Sequence, residues 1–379
     1  MSLDFICPAC HSACPAAQAP YRCDACGQAL DNQQGPISFP LATIATRPPD
    51  MWRYREALPV LGPPVSLGEI RTPLTPFNLD GMEVLAKGEY ALPTGSYKDR
   101  GAALLMTHLR DLGVAEAVED SSGNAGASMA AYAARAGLRL KVFCPASAAA
   151  GKLAQIRLYG AALVPVKGPR PRATEALLEY IDANPSVYAS HLWHPLFIDG
   201  LKTLAYEIAE QLNWTAPDAV ACPVGAGSIL LGLYRGFEDL RRAGIIARLP
   251  RLIAVQAKNV SPLYKSFHAG ADEVAPATAP QPTRAEGIAL PRPVRDREII
   301  AALHQSGGTV VAVSEDSIAH GLKHLGRAGF CVEPTSAVVW DGLTQARTTG
   351  LIEPGQKVVA VLSGHGLKAS QDLVELLDE

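Results

Sequence analysis

Short apolar runs alternate with longer amphipathic stretches along the chain from about Met82 onward. The runs have the length of buried strands, and the stretches between them repeat their apolar residues with a helical period. Such alternation predicts an α/β fold with open, largely parallel sheets and helices. The predicted strands cover residues 84–86, 115–118, 138–144, 161–166, 219–223, 252–256, 310–313 and 358–362. The predicted helices cover residues 98–112, 124–136, 173–181, 200–212, 227–242, 315–327 and 335–347.

Two segments depart from this pattern. Residues 31–76 are rich in proline and turn-forming residues, which predicts a connector that wraps a core. Residues 272–295 carry many prolines and predict a long loop. Because 379 residues exceed the usual size of a single hydrophobic core, the length predicts two domains and a small appendage.

Composition and charge narrow the classes of function. Hydrophobic residues make up 48% of the chain and charged residues 19%, which is typical of an enzyme with a substantial core. The formal net charge of -3 and the lack of a long basic run argue against nucleic acid or a membrane surface as a partner. No apolar stretch has the length of a membrane helix, and the N-terminus lacks the pattern of a secretory signal. We therefore expect a cytoplasmic protein that binds a small molecule.

Two C-x2-C pairs lie close to the N-terminus, at Cys7 and Cys10 and at Cys23 and Cys26. Four thiolates on two tight turns can close a tetrahedron around zinc, and a module this short needs the metal in order to fold. The spacing therefore predicts a zinc ribbon in residues 1–30 with these four cysteines as ligands. Four thiolates leave no open position for water, so we expect a structural zinc rather than a catalytic one.

Three turns of small residues, glycines and hydroxyls each join a predicted strand to a predicted helix: residues 92–101 (LPTGSYKDRG), 120–126 (DSSGNAG) and 223–228 (PVGAGS). Ligands bind at such turns in open α/β sheets, because backbone N–H groups at a helix N-terminus attract anions. A carboxylate suits the second turn, and a phosphate suits the third. In the first turn, small residues surround Lys98 and leave space for a planar ligand.

These turns are followed by residues 333–337 (EPTSA) and 363–368 (SGHGLK), and together the five segments resemble, in order, the motifs of fold-type II pyridoxal-phosphate enzymes. The segment around Lys98 is most similar to threonine synthases. The resemblance implies that Lys98 binds pyridoxal 5'-phosphate covalently and later moves the substrate's proton. The implied cofactor-binding residues are Lys98, Asn124, Gly225, Ala226, Gly227, Ser228 and Ser363. The implied substrate-binding residues are Ser121, Ser122, Asn124 and Ala125.

The resemblance also implies a two-domain, tryptophan-synthase-β-like fold behind the zinc ribbon. Residues 31–97 and 191–379 are expected to form the large cofactor-binding domain, and residues 98–190 a small inserted domain. His191 is kept as a candidate wall of the substrate pocket. Family members are often dimers, which makes a homodimer an expectation for this chain.

The first functional expectation is threonine synthase chemistry, in which O-phospho-L-homoserine and water give L-threonine and phosphate. A neutral hydroxyl at Ser363 does not enforce protonation of the pyridine ring, so elimination and replacement are favoured over transamination. The alternatives are a serine, threonine or diaminopropionate ammonia-lyase and a β-replacing enzyme such as cysteate synthase. A rival of another class is a catalytically inactive protein that keeps the fold and uses its zinc ribbon for interactions.

Overall fold

The structure is a computed structural model and describes residues 4–33, 35, 37–60, 62–148, 150–168 and 170–378. Its strands are β1 (Asp4–Ile6), β2 (Ala13–Pro15), β3 (Asp31–Asn32), β4 (Leu74–Leu79), β5 (Met82–Gly88), β6 (Glu116–Glu119), β7 (Arg139–Pro145), β8 (Ala162–Val166), β9 (Val187–Tyr188), β10 (Ala219–Pro223), β11 (Arg251–Ala257), β12 (Thr309–Val313) and β13 (Val358–Leu362). Its helices are α1 (Leu41–Thr46), α2 (Lys98–Asp111), α3 (Asn124–Ala136), α4 (Ala150–Leu158), α5 (Arg170–Ala183), α6 (Pro195–Gln211), α7 (Ser228–Arg242), α8 (Pro262–His268), α9 (Asp296–Gln305), α10 (Glu315–Arg327), α11 (Pro334–Thr348) and α12 (Ser370–Asp378).

The chain divides into two compact units. Unit 1 comprises Met1–Ile70 and Lys98–Leu201, and unit 2 comprises Arg71–Tyr97 and Lys202–Glu379. Lys98 is therefore the residue at which the chain passes from unit 2 into unit 1.

Unit 1 is built on a parallel four-stranded sheet with the strand order β8-β7-β6-β9. Helices α2 and α3 pack against each other, and the Ser128 hydroxyl of α3 donates to the buried Asp99 carboxylate of α2 over 2.7 Å. The N-terminal residues form a separate antiparallel sheet with the order β2-β1-β3. This unit carries the cysteine cluster, Lys98 and the turn that opens α3.

Residues 31–70 lie in unit 1, whereas the expected boundaries assign them to the domain that contains residues 191–379. Within unit 1, the Val65 N–H donates to the Thr107 hydroxyl of α2 over 2.9 Å, and the Tyr132 hydroxyl of α3 donates to Glu69 over 2.6 Å. A proline-rich segment has no hydrophobic period of its own. Only such tertiary contacts therefore decide which unit it joins.

Unit 2 is built on a six-stranded sheet with the order β12-β11-β10-β13-β5-β4. All neighbouring pairs are parallel except β4 and β5, which form a hairpin. Strands β10 and β13 are buried along their whole length, and helix α11 packs against the sheet with Val338 and Leu343 fully buried. Parallel strands buried on both faces need such near-continuous apolar runs.

All eight predicted strands and all seven predicted helices are present, with ends that differ by a few residues. The α/β class with largely parallel sheets is therefore confirmed. Ten of the described elements were not predicted: strands β1, β2, β3, β4 and β9 and helices α1, α4, α8, α9 and α12. None of the described helices combines the length and apolar character that crossing a membrane requires.

Candidate active site

Lys98 is the first residue of α2 and is half-buried. Its Nζ lies 5.6 Å from the centroid of the Phe197 ring in the same unit. Gly101 allows this packing, because a Cβ at that position would lie 2.7 Å from the Phe197 ring. The lysine therefore faces an aromatic surface, which attracts a cation without neutralising it.

Residues 121–125, here called the serine turn, join β6 to α3. The turn folds back over the first turn of the helix. The approach is so close that a Cβ at Gly126 would collide with the Ser121 carbonyl oxygen, and the position therefore needs glycine. The Ser121 hydroxyl accepts from the Gly123 N–H over 3.3 Å, and Ser122 and Asn124 are half-buried. The first N–H groups of a long helix beside these side chains form a site for an anion such as a carboxylate.

Three buried titratable side chains, here called the charged cluster, lie together: Glu119 and Asp120, which directly precede the serine turn, and His191. Nδ1 of His191 lies 2.6 Å from Oε1 of Glu119. Burial, reinforced by the Asp120 charge, raises the pKa of Glu119 well above its ordinary value. Burial, reinforced by the Lys98 charge, lowers the pKa of His191 well below its ordinary value. Both shifts favour the uncharged form of the side chain.

Asp120, in the same cluster, favours its charged form, because its pKa is lowered. Burial opposes its ionisation, but the Arg170 charge and the hydrogen bonds from Thr174 and Tyr188 outweigh burial and lower the pKa of Asp120. Arg170 Nη1 lies 3.3 Å from the carboxylate, and the Thr174 and Tyr188 hydroxyls donate to it over 2.5 and 2.9 Å. Asp120 is therefore held as a charged, fully bonded carboxylate.

Residues 225–228, here called the glycine turn, join β10 to α7 in unit 2. A Cβ at Gly225 would lie 2.7 Å from the backbone of Ile288, and a Cβ at Gly227 would overlap the side chain of Ile299. Gly227 also has a φ of +82°, which favours glycine. Both glycines are thus needed for the turn to hold its shape, which presents backbone N–H groups and the Ser228 hydroxyl at the start of a helix of 15 residues. This arrangement fits a phosphate.

Ser363 follows β13 and is buried in unit 2. Its hydroxyl lies 2.9 Å from the Ser336 hydroxyl and 3.3 Å from a Glu333 carboxylate oxygen. The Ser336 hydroxyl also accepts from the Gly364 N–H over 3.0 Å. These bonds fix the position of the Ser363 hydroxyl, as a site that recognises a ring nitrogen requires.

Tyr97 connects the glycine turn to the Ser363 segment within unit 2. Its hydroxyl lies 2.9 Å from the Ser228 hydroxyl, and its backbone N–H donates to the Ser363 carbonyl over 3.0 Å. The neighbouring Ser96 hydroxyl is fully buried and has no hydrogen-bond partner among the described residues. Tyr97, Ser228, Ser336 and Ser363 are here called the hydroxyl network, and Lys98 follows Tyr97 directly.

The four cysteines predicted to bind zinc lie together in unit 1. Their sulfur atoms are all within 4.8 Å of one another, with 3.4 Å between Cys7 and Cys26 and 3.6 Å between Cys10 and Cys23. A tetrahedral Zn–S₄ site with bonds of about 2.3 Å requires sulfur atoms about 3.8 Å apart. The thiol arrangement therefore fits a zinc ion.

The predicted site residues are distributed over both units. Lys98 and the serine turn belong to unit 1, whereas the glycine turn and Ser363 belong to unit 2. Phe197 and Glu119 were not predicted as site residues. No local signal marks Phe197, but the acidic pair directly before the Ser-Ser-Gly-Asn turn is a sequence signal that points to Glu119.

Residues 65–364 of the chain match the family model described as "Pyridoxal-phosphate dependent enzyme". The threonine synthase of Methanocaldococcus jannaschii is 36% identical over 338 residues, which cover 87% of this chain and 83% of that protein. The threonine synthase of Methanosarcina acetivorans is 32% identical over 370 residues, which cover 95% of this chain and 90% of that protein. The similarity to both proteins thus extends over most of each chain.

Two solved structures are similar in fold. The T.th. threonine deaminase has a TM-score of 0.65 and 27% identity, and the match covers 78% of this chain and 92% of that chain. The L-serine ammonia-lyase of Rhizomucor miehei has a TM-score of 0.71 and 20% identity, and the match covers 82% of this chain and 98% of that chain. The second likeness shows the fold alone.

Proposed function

Because the chain belongs to the family of pyridoxal-phosphate-dependent enzymes, we propose that it is a threonine-synthase-like enzyme that converts O-phospho-L-homoserine and water into L-threonine and phosphate. The threonine synthases among its relatives support this proposal. The proposal also covers the broader class, which is elimination and replacement at the side chain of an amino acid.

The observation that carries the proposal is the meeting of three distant segments at Tyr97. The Tyr97 hydroxyl contacts Ser228 of the glycine turn, and its backbone contacts Ser363. These contacts bring a candidate phosphate-binding turn and a candidate partner for a ring nitrogen to Tyr97. A planar ligand with a phosphate and a ring nitrogen fits these groups of unit 2, and the next residue along the chain is Lys98, whose amine can react with a carbonyl carbon.

The chain's own residues divide the work as follows. The glycine turn would hold the cofactor's phosphate through backbone N–H groups and the Ser228 hydroxyl. The Ser363 hydroxyl would meet the ring nitrogen. When bound, pyridoxal phosphate supplies an electron sink that stabilises negative charge at the substrate's Cα. Lys98 would hold the cofactor through Nζ, exchange it for the substrate amine, and then take the proton from Cα.

The substrate carboxylate is proposed to bind at the serine turn. The N-terminus of α3 supplies backbone N–H groups, and Ser121, Ser122 and Asn124 add side-chain donors that remain partly exposed. The helix dipole favours an anion at this position. Such binding would orient Cα of the substrate.

A second candidate function is an ammonia-lyase that dehydrates serine or threonine. The ring of Phe197 is close to Lys98, and the ring of His191 lies 6.1 Å from that of Phe197. An aromatic ring and a neutral imidazole can accommodate the small hydroxyl of serine or threonine. A phosphate dianion on the substrate would be bound better by cationic side chains. This observation keeps the ammonia-lyase as the alternative.

The direct experiment is to supply the purified holoenzyme with O-phospho-L-homoserine and to measure threonine by mass spectrometry together with free phosphate. We expect one threonine per phosphate. Release of neither product, with cofactor absorbance intact, would contradict threonine synthase activity. L-Serine, L-threonine and L-2,3-diaminopropionate are then the substrates to assay. A protein without a borohydride-reducible pyridoxal phosphate adduct would support the catalytically inactive alternative.

A structural zinc at Cys7, Cys10, Cys23 and Cys26 is a separate part of the proposal. The ribbon packs within unit 1, where the Phe5 ring lies 5.4 Å from that of His194 and the Tyr21 ring 5.1 Å from that of Tyr188. Tyr188 in turn donates to Asp120. We therefore expect about one zinc per chain by elemental analysis, since four thiolates saturate one tetrahedral ion, and a lower melting temperature after chelation. A metal-free protein of undiminished stability would contradict this site.

The proposal also includes a cytoplasmic location and a homodimer. The eight cysteines all lie within the described residues and form no disulfide there, which agrees with a reducing compartment. Light scattering after size-exclusion chromatography would test the homodimer, and cell fractionation would test the location.

A further inference from the structure

Glu119 and His191, here called the relay pair, have no role in the proposed function. Glu119 is fully buried at the end of β6, and His191 is 7% exposed. The pair is held by the bond of 2.6 Å between Oε1 and Nδ1. Oε2 of Glu119 is buried without a hydrogen-bond partner among the described residues. A buried carboxyl group left half satisfied costs free energy and needs an explanation.

The surroundings favour the uncharged form of both members of the relay pair. The charged groups that act on it are Lys98 from α2, Asp120 beside β6 and Arg170 from α5. Asp120 is paired with Arg170 and hydrogen-bonded by Tyr188 and Thr174, so its charge is already balanced. Burial raises the pKa of Glu119 and lowers the pKa of His191. A proton that the relay pair gives up or takes up is therefore expected to move through both residues, so that neither residue keeps a charge for long.

The relay pair also lies beside the reacting groups of unit 1. Phe197 contacts both Lys98 Nζ, 5.6 Å from its ring centroid, and the His191 ring, 6.1 Å from it. Glu119 is two residues before the serine turn, where the substrate carboxylate is proposed to bind. Because Nδ1 of His191 is bonded to Glu119, Nε2 is the ring nitrogen that remains for exchange with a ligand.

The proposed reaction moves protons at Cα, Cβ and Cγ and also at the oxygen that becomes bonded to Cβ. Lys98 accounts for the proton at Cα, but the oxygen at Cβ must also lose or gain a proton when water adds or leaves. We propose that Glu119 and His191 form a proton relay that exchanges one proton with the oxygen substituent at the substrate's Cβ. The inference rests on the proposed function and extends it to a specific step.

In the hydration direction, the water oxygen bonds to Cβ and one of its O–H bonds breaks. That proton passes to Nε2 of His191 while the Nδ1 proton moves to Glu119, which enters this step as a carboxylate, so that the relay pair ends uncharged. The bound cofactor would supply the electron sink for the electron pair of the substrate's C=C bond. In the dehydration direction, Glu119 returns its proton to Nδ1, Nε2 protonates the hydroxyl, and the Cβ–O bond breaks to release water. The substrate class is thus amino acids that carry or acquire a Cβ hydroxyl.

The decisive variants are His191→Asn and Glu119→Gln. Asparagine places an amide nitrogen near the position of Nδ1 but has no Nε2, and glutamine keeps the shape of Glu119 but cannot take the proton. With O-phospho-L-homoserine, phosphate leaves from Cγ and does not need the relay. We expect phosphate release within about threefold of the wild-type rate, while threonine formed per phosphate falls about 10-fold or more and 2-oxobutanoate replaces it.

Glu116→Gln is the matched control, because Glu116 lies on the same strand and bonds only to Lys141 and Tyr180 among the hydrogen-bond partners described. It should leave both the phosphate rate and the threonine yield unchanged. Equal losses of phosphate release and threonine in the two relay variants would overturn the relay, because that result indicates a structural role. An unchanged threonine yield would overturn it as well.

A wild-type protein that releases no phosphate would refute the proposed threonine synthase reaction but would leave the relay testable on L-threonine. Exchange of the Cα hydrogen with D₂O needs Lys98, whereas 2-oxobutanoate formation also needs the Cβ hydroxyl to leave. The relay variants should retain the exchange and lose about 10-fold or more of the 2-oxobutanoate rate. A wild-type protein that performs the exchange without any chemistry at the Cβ oxygen would overturn the relay.

The relay pair can also be examined without turnover. In histidine-labelled, cofactor-free protein, ¹⁵N NMR should show a neutral His191 imidazole at pH 7 whose Nδ1 signal moves in Glu119→Gln. A His191 imidazolium at pH 7, or an Nδ1 signal that is indifferent to Glu119→Gln, would overturn the inference.

Discussion

The hydroxyl network of unit 2 and the charged cluster of unit 1 differ in the kind of group that they contain. The hydroxyl network joins Tyr97, Ser228, Ser336 and Ser363 through neutral oxygens and backbone groups. The charged cluster buries two carboxyls and an imidazole. The pKa of Glu119 is raised, whereas the pKa values of Asp120 and His191 are lowered. Neutral groups bind a ligand with the same strength across a wide pH range, whereas buried titratable groups exchange protons. In the proposed function, unit 2 therefore supplies neutral groups for the cofactor's phosphate and ring nitrogen, whereas Lys98 and the relay pair of unit 1 transfer protons.

The largest expected effect follows from removing the amine beside the charged cluster. Lys98→Ala should lower turnover about 10⁴-fold or more, because both the covalent hold on the cofactor and the base at Cα are lost. If unit 2 supplies the binding groups, the variant should still bind pyridoxal phosphate, although no borohydride-reducible adduct should form. Lys98→Arg is the control that keeps the charge without the chemistry. Turnover that persists in Lys98→Ala would exclude Lys98 as the catalytic lysine.

The second prediction concerns the binding side of the comparison. Gly225→Ala would place a methyl group 2.7 Å from the Ile288 backbone and distort the glycine turn. Loss of one charge-assisted hydrogen bond to phosphate, about 1.5–3 kcal/mol, should weaken pyridoxal phosphate binding about 10- to 100-fold in an absorbance titration. Gly326→Ala is the matched control in unit 2, since nothing lies within 4 Å of a Cβ there. Equal affinities of the two variants for pyridoxal phosphate would show that the glycine turn does not bind the cofactor's phosphate.

The two regions also differ in how far the sequence could predict them. The tryptophan-synthase-β-like α/β fold expected from the ordered motifs is confirmed by the family match and by the threonine deaminase structure. The glycine turn and Ser363 stand at strand ends, so their local motifs could be recognised from the sequence as candidate ligand-binding positions. The assignment of each site residue to a function remains a prediction.

Other features depend on contacts that no local pattern specifies. Phe197 reaches Lys98 only because Gly101 leaves room for its ring. Glu119 acquires its bond to His191 and its raised pKa only when folding buries it. Strand β4 could have been predicted from the Asp-Gly pair that follows it, but it begins in the proline-rich segment that was predicted to be a connector. Asp80 and Gly81, with φ values of +49° and +85°, form the two-residue turn of a hairpin, which the Asp-Gly pair favours.

A smaller effect is expected in the hydroxyl network. Ser363→Ala removes one neutral hydrogen bond, about 1 kcal/mol, and should lower kcat/KM about fivefold. Ser363→Thr keeps the hydroxyl and should retain most of the activity. The fold-change in Ser363→Ala should not vary between pH 6 and 8, since a hydroxyl does not titrate in that range. A strongly pH-dependent effect would mean that Glu333, 3.3 Å from the Ser363 hydroxyl, transmits a charge to the ring nitrogen.

The smallest expected effect is a pH-dependent stability difference, and it concerns the charged cluster directly. Burial lowers the pKa of His191 below its ordinary value of 6.5, so the unfolded chain binds this proton more readily than the folded chain. His191 therefore contributes stability that is present above pH 6.5 and is lost as the pH falls through the lower, folded-state pKa. The wild-type melting temperature should accordingly decline more steeply than that of His191→Asn between pH 7.5 and 5.

The exposed His320 on α10 provides the control, and His320→Asn should follow the wild-type curve. Parallel curves for the wild type and His191→Asn would mean that His191 is not desolvated in the folded protein. In that case its imidazole would titrate freely near pH 6.5, and the distinction between a charged cluster that moves protons and a hydroxyl network that does not would lose its physical basis.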